Sequence, residues 1–246
     1  MKKEEVIEKI NPLFLKGIAH RGLWNEMYAE NSLGAFKNAI DNSFAFECDI
    51  HLTKDKRLVV CHDSDLKRMT GKDGVIEKLT LSEIKDNYTL TDGSKIPTLR
   101  EVFDLNQERV PMAIELKIYK GNYRRLIKEL KKEITVIKDP KNYFFISFDP
   151  RALFLIHHID SVKGLIAGIN PFTWFLCFRK VINSLDIDRE LLHDKRVVTY
   201  NKKRFLNTWT IETKEQFDEA YPIVDTVTFQ KIDPEYVREK LTEKNF

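Results

Sequence analysis

AFECDIHLT, residues 45–53, and PMAIELKIY, residues 111–119, are the runs that decide the architecture. Both read as strands, and both carry charge at every second position of an otherwise apolar segment. Successive side chains of a strand point to opposite faces. Glu47 and Asp49 therefore share one face and Cys48 takes the other, while Glu115 and Lys117 lie opposite Ile114 and Leu116. Acids gathered on an enclosed face are costly unless a cation answers them. An ion pair with a nearby lysine, or a simple contact along one strand, would explain either run alone. Charge on both runs is better explained if they line one polar site. Ligands that are all oxygen suit a hard ion, Mg2+ or Ca2+.

Outward from these runs, further strand-like segments recur: GIAHRG (17–22), RLVVCHD (57–63), NYFFISFD (142–149), GLIAGIN (164–170), SLDID (184–188), FLNTWTIE (205–212) and VDTVTFQ (224–230). Helical patterns fall between them. Ser32 can cap a helix that buries Leu33, Phe36, Ala39 and Ile40. A second fits Leu99 to Gln107, and a third carries Leu126, Ile127, Leu130 and Ile134 on one face. Pro150 opens another at its first turn, an aromatic-rich one starts at Pro171, Thr213 can cap KEQFDEAY, and Asp233-Pro234 begins the last. Strands alternating with helices predict a parallel sheet covered by helices. Eight such units in 246 residues fit one (β/α)8 TIM barrel, whose usual length is about 250. The polar stretch Ser64 to Pro97 shows only turn signals, at Lys72-Asp73-Gly74 and Asp92-Gly93.

Composition bounds the function. Hydrophobic residues make up 42% and charged residues 32%, a globular balance. Lys plus Arg is 41 against 38 Asp plus Glu, so the surface is mixed and gives no basis for nucleic-acid binding. Three scattered cysteines, Cys48, Cys61 and Cys177, make no disulfide framework, and two of them sit in apolar runs as buried thiols would. The first twenty residues lack the apolar core of a secretion signal. Gly164 to Ile182 is interrupted by Asn170, Pro171, Arg179 and Lys180, so no stable membrane insertion is expected. The expectation is a cytoplasmic, soluble protein.

Active sites of such barrels lie at the C-terminal ends of the strands. His20 and Arg21 end the first run, and His62 and Asp63 end RLVVCHD. Two histidines there can share the proton transfers of a displacement. Arg21 can grip phosphate oxygens, and Asp63 can orient a histidine or a lysine. His51, His157, His158 and His193 lack this placement and read as structural.

AHRG at 19–22, Glu30-Asn31-Ser32, Glu47-x-Asp49, Thr53-x-Asp55 and His62-Asp63 together resemble the opening of the glycerophosphodiester phosphodiesterase family. The likeness continues through Ile96-Pro97-Thr98-Leu99, Ile114-Glu115-Leu116-Lys117, Ser147-Phe148-Asp149 and Trp209-Thr210. The resemblance implies a single barrel over residues 1–246, with a small insertion at about 53–98 capping its mouth. It implies His20 and His62 as the catalytic pair and Glu47, Asp49 and Glu115 as ligands of one divalent cation. It places Arg21 and Lys117 on the phosphate and Trp209 in the substrate pocket. The activity it implies is metal-dependent hydrolysis of a small-molecule glycerophosphodiester to sn-glycerol 3-phosphate and an alcohol. Lysophospholipase D action, a sphingomyelinase D-like activity and a non-catalytic glycerophosphodiester-binding module are the alternatives. The cap disfavours the second, and the clustered acids disfavour the last. An apolar stretch, Phe172 to Phe178, would suit a lipid substrate, although a buried helix also accounts for it. Phe229 departs from the family pattern, which has an aspartate there, and Lys195 to Arg204 is unusually basic. A solvated loop is the simpler reading of that stretch, and an anionic substrate or lipid surface the other.

Overall fold

The computed structural model describes residues 2–168, 180–201 and 203–242. Eight parallel strands close into a barrel: β1 (Ile18–Ala19), β2 (Ala45–Leu52), β4 (Met112–Leu116), β5 (Tyr143–Ser147), β6 (Val162–Ala167), β7 (Ser184–Asp188), β8 (Phe205–Ile211) and β9 (Thr226–Phe229). Closure comes from β1, which pairs with β2 through Ile18–Ala45 and with β9 through Ile18–Thr228. The short β3 (Leu58–Val60) runs antiparallel to β2 outside this ring. The expected (β/α)8 architecture is therefore present.

Alternation builds the interior in layers. Ile18, Ala45, Ala113, Phe144, Val162 and Phe205 form an apolar floor, sealed below by Val6, Ile10 and Phe14 from the N-terminal segment. Phe14 meets Phe144 edge to face, with centroids 5.8 Å apart. One pleat higher β2, β4 and β8 turn polar and β7 and β9 join them, with Glu47, Glu115, Asp186, Asn207 and Thr228 all buried. The outward-facing set, Phe46, Cys48, Ile114, Leu116, Phe145 and Leu185 among them, packs against the helices. Cys48 and Cys61 are buried and free, as expected.

The helices start where the sequence signals them. Ser32 Oγ accepts from the Ala35 amide at 3.1 Å and opens Leu33–Asp41. Thr98 and Glu101 form a reciprocal capping box at the start of Leu99–Asn106. Pro150 stands in the first turn of Pro150–Leu155, and Thr213 caps Lys214–Ala220. The aromatic-rich helix expected from Pro171 lies outside the described residues, as do Cys177 and Lys202.

Between β2 and the helix at Leu99 the chain is more structured than its turn signals suggested. It holds β3, two short helices, α1 (Lys67–Thr70) and α2 (Leu81–Asn87), and a 3-10 turn at Ile76–Lys78. Leu66, Met69, Ile76, Ile84 and Tyr88 give it a small core of its own. Helices of 4 and 7 residues are too short to show a 3.6-residue period, which is why the sequence concealed them.

Candidate active site

The turn after β1 brings the first functional residues into the barrel mouth. Arg21 and Gly22 both take left-handed backbone conformations, with φ of 58° and 83°. A Cβ at Gly22 would lie 2.7 Å from the main-chain carbon of Ala35, so only glycine fits this approach to the first barrel helix. The tight turn points the Arg21 amide inward, where it donates to Glu47 Oε2 at 3.0 Å.

Glu47, Asp49 and Glu115 converge, with one oxygen of each lying within 4.8 Å of the others, and all three are buried. Register explains this: Asp49 is the direct cross-strand partner of Glu115. Asn31 steadies Asp49 by donating from Nδ2 to Oδ2 at 2.9 Å. Lys117 Nζ lies 2.9 Å from Glu115 Oε1 and 3.5 Å from Asp49 Oδ1. Glu47 Oε1 and Asp49 Oδ1 are buried without a hydrogen-bond partner. Burial, then the neighbouring Asp49 and Glu115, pushes the Glu47 carboxyl well above its ordinary range. Burial and Asp49 push Glu115 up to about 7. Burial would raise Asp49 too, but Lys117 and Arg21 outweigh it and hold Asp49 well below the usual carboxylate range. A buried three-acid cluster with Glu47 Oε1 unpartnered, and Asp49 Oδ1 met only by Lys117 at 3.5 Å, could hold a cation.

The two histidines flank this cluster in different settings. His20 is enclosed; burial and then Arg21 lower its pKa to about 4. Its Nδ1 lies 2.6 Å from Gln230 Oε1, and Gln230 Nε2 in turn donates to Glu212. That orientation of the amide leaves Nδ1 as the donor and Nε2 bare, 4.0 Å from Glu47 Oε2. His62 is more open, with its Nδ1 2.7 Å from Asp63 Oδ1. Its pKa is lowered by burial, then by Lys117 and Arg21, while Asp49 and Asp63 act in the opposite sense. Asp63 thus meets the histidine, not the lysine.

Ion pairs behind the site join its parts. Arg21 is paired with Glu30 at 2.8 Å, and Arg68 of α1 bridges Glu30 and Asp63 at 2.6 Å each. Trp209 stands across the mouth and packs edge to face on Phe148, centroids 5.8 Å apart. A narrow pit of about 110 Å3, lined by His20, Glu47, His62, Glu115, Phe148 and Trp209, opens beside a groove of about 1010 Å3. His62, Glu115 and Phe148 border both.

His20, Arg21, Glu47, Asp49, His62, Glu115, Lys117 and Trp209 therefore come to one mouth, but several neighbours were not foreseen. Gln230 is one: Phe229, which departs from the family pattern, is a core residue stacked edge to face on Phe44 at 5.5 Å, and the following Gln230 meets His20. Phe148 stood in a quoted motif without a role. Of the histidines read as structural, His157, His158 and His193 are exposed, whereas His51 is buried against Glu77 of the Ile76–Lys78 turn. In the basic stretch, Arg196 pairs with Asp194 at 2.6 Å within the outer ring of helices.

A closed parallel barrel with acids, a lysine, an arginine and two histidines at the C-terminal ends of its strands defines the class, a (β/α)8 barrel with a polar site at its mouth. A family model, the glycerophosphoryl diester phosphodiesterase family, matches residues 20–169, and the chain belongs to that family. A glycerophosphodiester phosphodiesterase of Caldanaerobacter subterraneus subsp. tengcongensis is 37% identical over 129 residues, which cover 46% of this chain and 51% of that protein. Lysophospholipase D GDPD1 of Homo sapiens is 29% identical over 64% of this chain and 57% of its own length. The chain thus aligns with little more than half of these relatives. A glycerophosphodiester phosphodiesterase structure from Parabacteroides distasonis superposes with a TM-score of 0.77 at 26% identity, covering 92% of this chain and 96% of that one. The fold is also that of an Oleispira antarctica phosphodiesterase solved with sn-glycerol-3-phosphate, at a TM-score of 0.78, 23% identity and coverage of 92% and 96%.

Proposed function

We propose that the protein hydrolyses glycerophosphodiesters to sn-glycerol 3-phosphate and an alcohol. The observation that carries this reading is the meeting of two differently set histidines with a buried three-carboxylate cluster at one pit. Glu47, Asp49 and Glu115 would hold one divalent cation, Mg2+ or Ca2+, and their unpartnered oxygens fit that role. When bound, the ion supplies positive charge to phosphate oxygens and acidifies a nearby hydroxyl. Arg21 and Lys117 add charge to the phosphate from either side of the acids.

His20, neutral and with Nε2 bare, takes the proton of the substrate's 2-hydroxyl. The hydroxyl oxygen attacks phosphorus, the bond to the leaving alcohol breaks, and a cyclic phosphate forms. His62, which borders the wide groove and is backed by Asp63, gives its proton to the departing alkoxide. Water then opens the ring with the two roles exchanged. Trp209 and Phe148 wall the glycerol, and the wide groove takes the alcohol.

The experiment is release of sn-glycerol 3-phosphate from a panel of glycerophosphodiesters, with Mg2+, with Ca2+ and with a chelator. Release that the chelator abolishes supports the reading; no release with either metal and any head group overturns it. A second reading, lysophospholipase D action, is favoured by the groove's size and by its Ile118, Phe148, Pro150 and Phe154. Lysophospholipids in the same panel test it.

No helix among the described residues is long and apolar enough to cross a membrane.

A further inference from the structure

His51 continues the inward face of β2, two residues beyond Asp49, yet it touches neither the acid cluster nor the pit. It is 3% exposed and bonded at both ring nitrogens. Nε2 lies 3.1 Å from the main-chain oxygen of His62, which can only accept, so Nε2 carries its proton and donates. Nδ1 lies 2.7 Å from Glu77 Oε1, in the cap's 3-10 turn. The same turn reaches the chain just past His62 twice more: the Ile76 amide donates to the Ser64 carbonyl at 2.9 Å, and Ser64 Oγ donates to Glu77 Oε1 at 3.2 Å.

This arrangement is expensive for a merely structural contact. Glu77 is enclosed, and its second oxygen, Oε2, is buried without a partner. Removing a carboxylate from water and leaving one of its oxygens unsatisfied costs stability. An apolar pair would fill the same space without that cost. What the pair adds is a directional hold on a single carbonyl, that of His62. Asp63 fixes the rotation of the His62 ring, but the position of the ring also depends on its main chain, which sits on a loop at the end of β3.

We propose that Glu77 and His51 are positioning residues, through which the cap holds the main chain of His62 at the reacting phosphate. The proposal rests on the diesterase reading above. The cap is then part of the proton-transfer machinery as well as a wall of the groove. The distances that matter to catalysis are of this order, since a displacement of about 1 Å can cost on the order of 100-fold in rate.

The test compares Glu77→Gln, His51→Gln and His51→Leu with the wild type and with His62→Ala. It uses glycerophosphodiesters carrying alkyl and p-nitrophenyl leaving groups. Wild-type turnover comes first, because its absence would overturn the diesterase reading itself. Given turnover, Glu77→Gln and His51→Leu should each lower kcat about 10-fold or more, with KM within about twofold and the melting temperature unchanged or raised. The loss should follow, in smaller measure, whichever substrate pattern His62→Ala shows. His51→Gln keeps an N–H donor for the His62 carbonyl and should recover part of the loss. The 15N resonances of the His62 imidazole should move in Glu77→Gln, a readout that needs no turnover. Wild-type kcat in Glu77→Gln and His51→Leu, or a loss that merely tracks the unfolded fraction, would overturn the proposal. So would unmoved His62 resonances.

Discussion

The Nδ1 of His20, at the end of β1, lies 2.6 Å from Oε1 of Gln230, the residue that follows β9. The first and last strands of the barrel are neighbours, so the bond that sets the tautomer of His20 is also a bond across the seam. Glu212 fixes the amide from the other side and so decides which end of Gln230 the ring meets.

Replacing Gln230 with Leu removes the acceptor and lets the ring turn or change tautomer. Turnover should fall roughly 10-fold, equivalent to about 1.4 kcal/mol of barrier, with the melting temperature within a few degrees of wild type. Glu212→Leu frees the amide but leaves the acceptor on Gln230, and should retain more activity than Gln230→Leu. Steady-state kinetics on the two variants checks the order.

His20→Ala and His62→Ala should each lose about 100- to 10,000-fold in kcat while keeping the fold. The geometry distinguishes them by leaving group. A p-nitrophenolate needs no proton, so His62→Ala should recover much of its loss on the aryl diester, and His20→Ala should not. The opposite pattern would exchange the two roles.

Divalent cation should raise the unfolding midpoint of the wild type, and a chelator should reverse the rise. A ligand at about 100 times its Kd adds about 2.7 kcal/mol of stability. Glu47→Gln and Asp49→Asn should abolish most of that increment, because each removes one of the three converging acids. A metal-dependent midpoint shift that survives both substitutions would place the ion elsewhere.

Asp186 supplies a pH signature away from the acid cluster. It is buried in the barrel's polar layer, its Oδ1 accepts from Asn207 Nδ2 at 2.7 Å, and burial pushes its pKa up to about 7. The folded state therefore holds this proton more tightly than the unfolded chain. Its contribution is full below pH ~4, the ordinary range of an aspartate, and is lost as pH rises through about 7. Urea unfolding should show Asp186→Asn gaining on the wild type between pH 5 and pH 8. Over that window, about two pH units below the folded pKa, the shift sets an upper scale of roughly 3 kcal/mol for the gain. Parallel pH profiles for the two proteins would contradict it.

Much of the site was legible because a strand's period of two is a strong constraint. Once residues 45–53 were a strand, Glu47 and Asp49 had to share a face, and the same held for Glu115 and Lys117. Register was not legible: that Asp49 lies directly beside Glu115 is a fact about pairing between strands sixty residues apart. The partner of His20 was hidden for the same reason, since Gln230 is distant in sequence and follows a phenylalanine that seemed only a departure. The contacts of His51 were hidden too: read as structural because it ends no strand, it meets Glu77 and the His62 carbonyl, which no local pattern announces. The helices at Lys67–Thr70 and Leu81–Asn87 left no periodic trace, and only the Thr80–Glu83 capping box announced the second.

Because β1 finds its second neighbour only in β9, the site is also an event in time. His20 and Gln230 are 210 residues apart, and at about 5–20 residues per second synthesis needs roughly 10–40 s to bring one after the other. Until residue 230 has been made, β1 has only β2 to pair with and the Nδ1 of His20 lacks its Gln230 partner. The tautomer of His20 is therefore among the last features of the site to be set, because it waits for the strand that shuts the barrel.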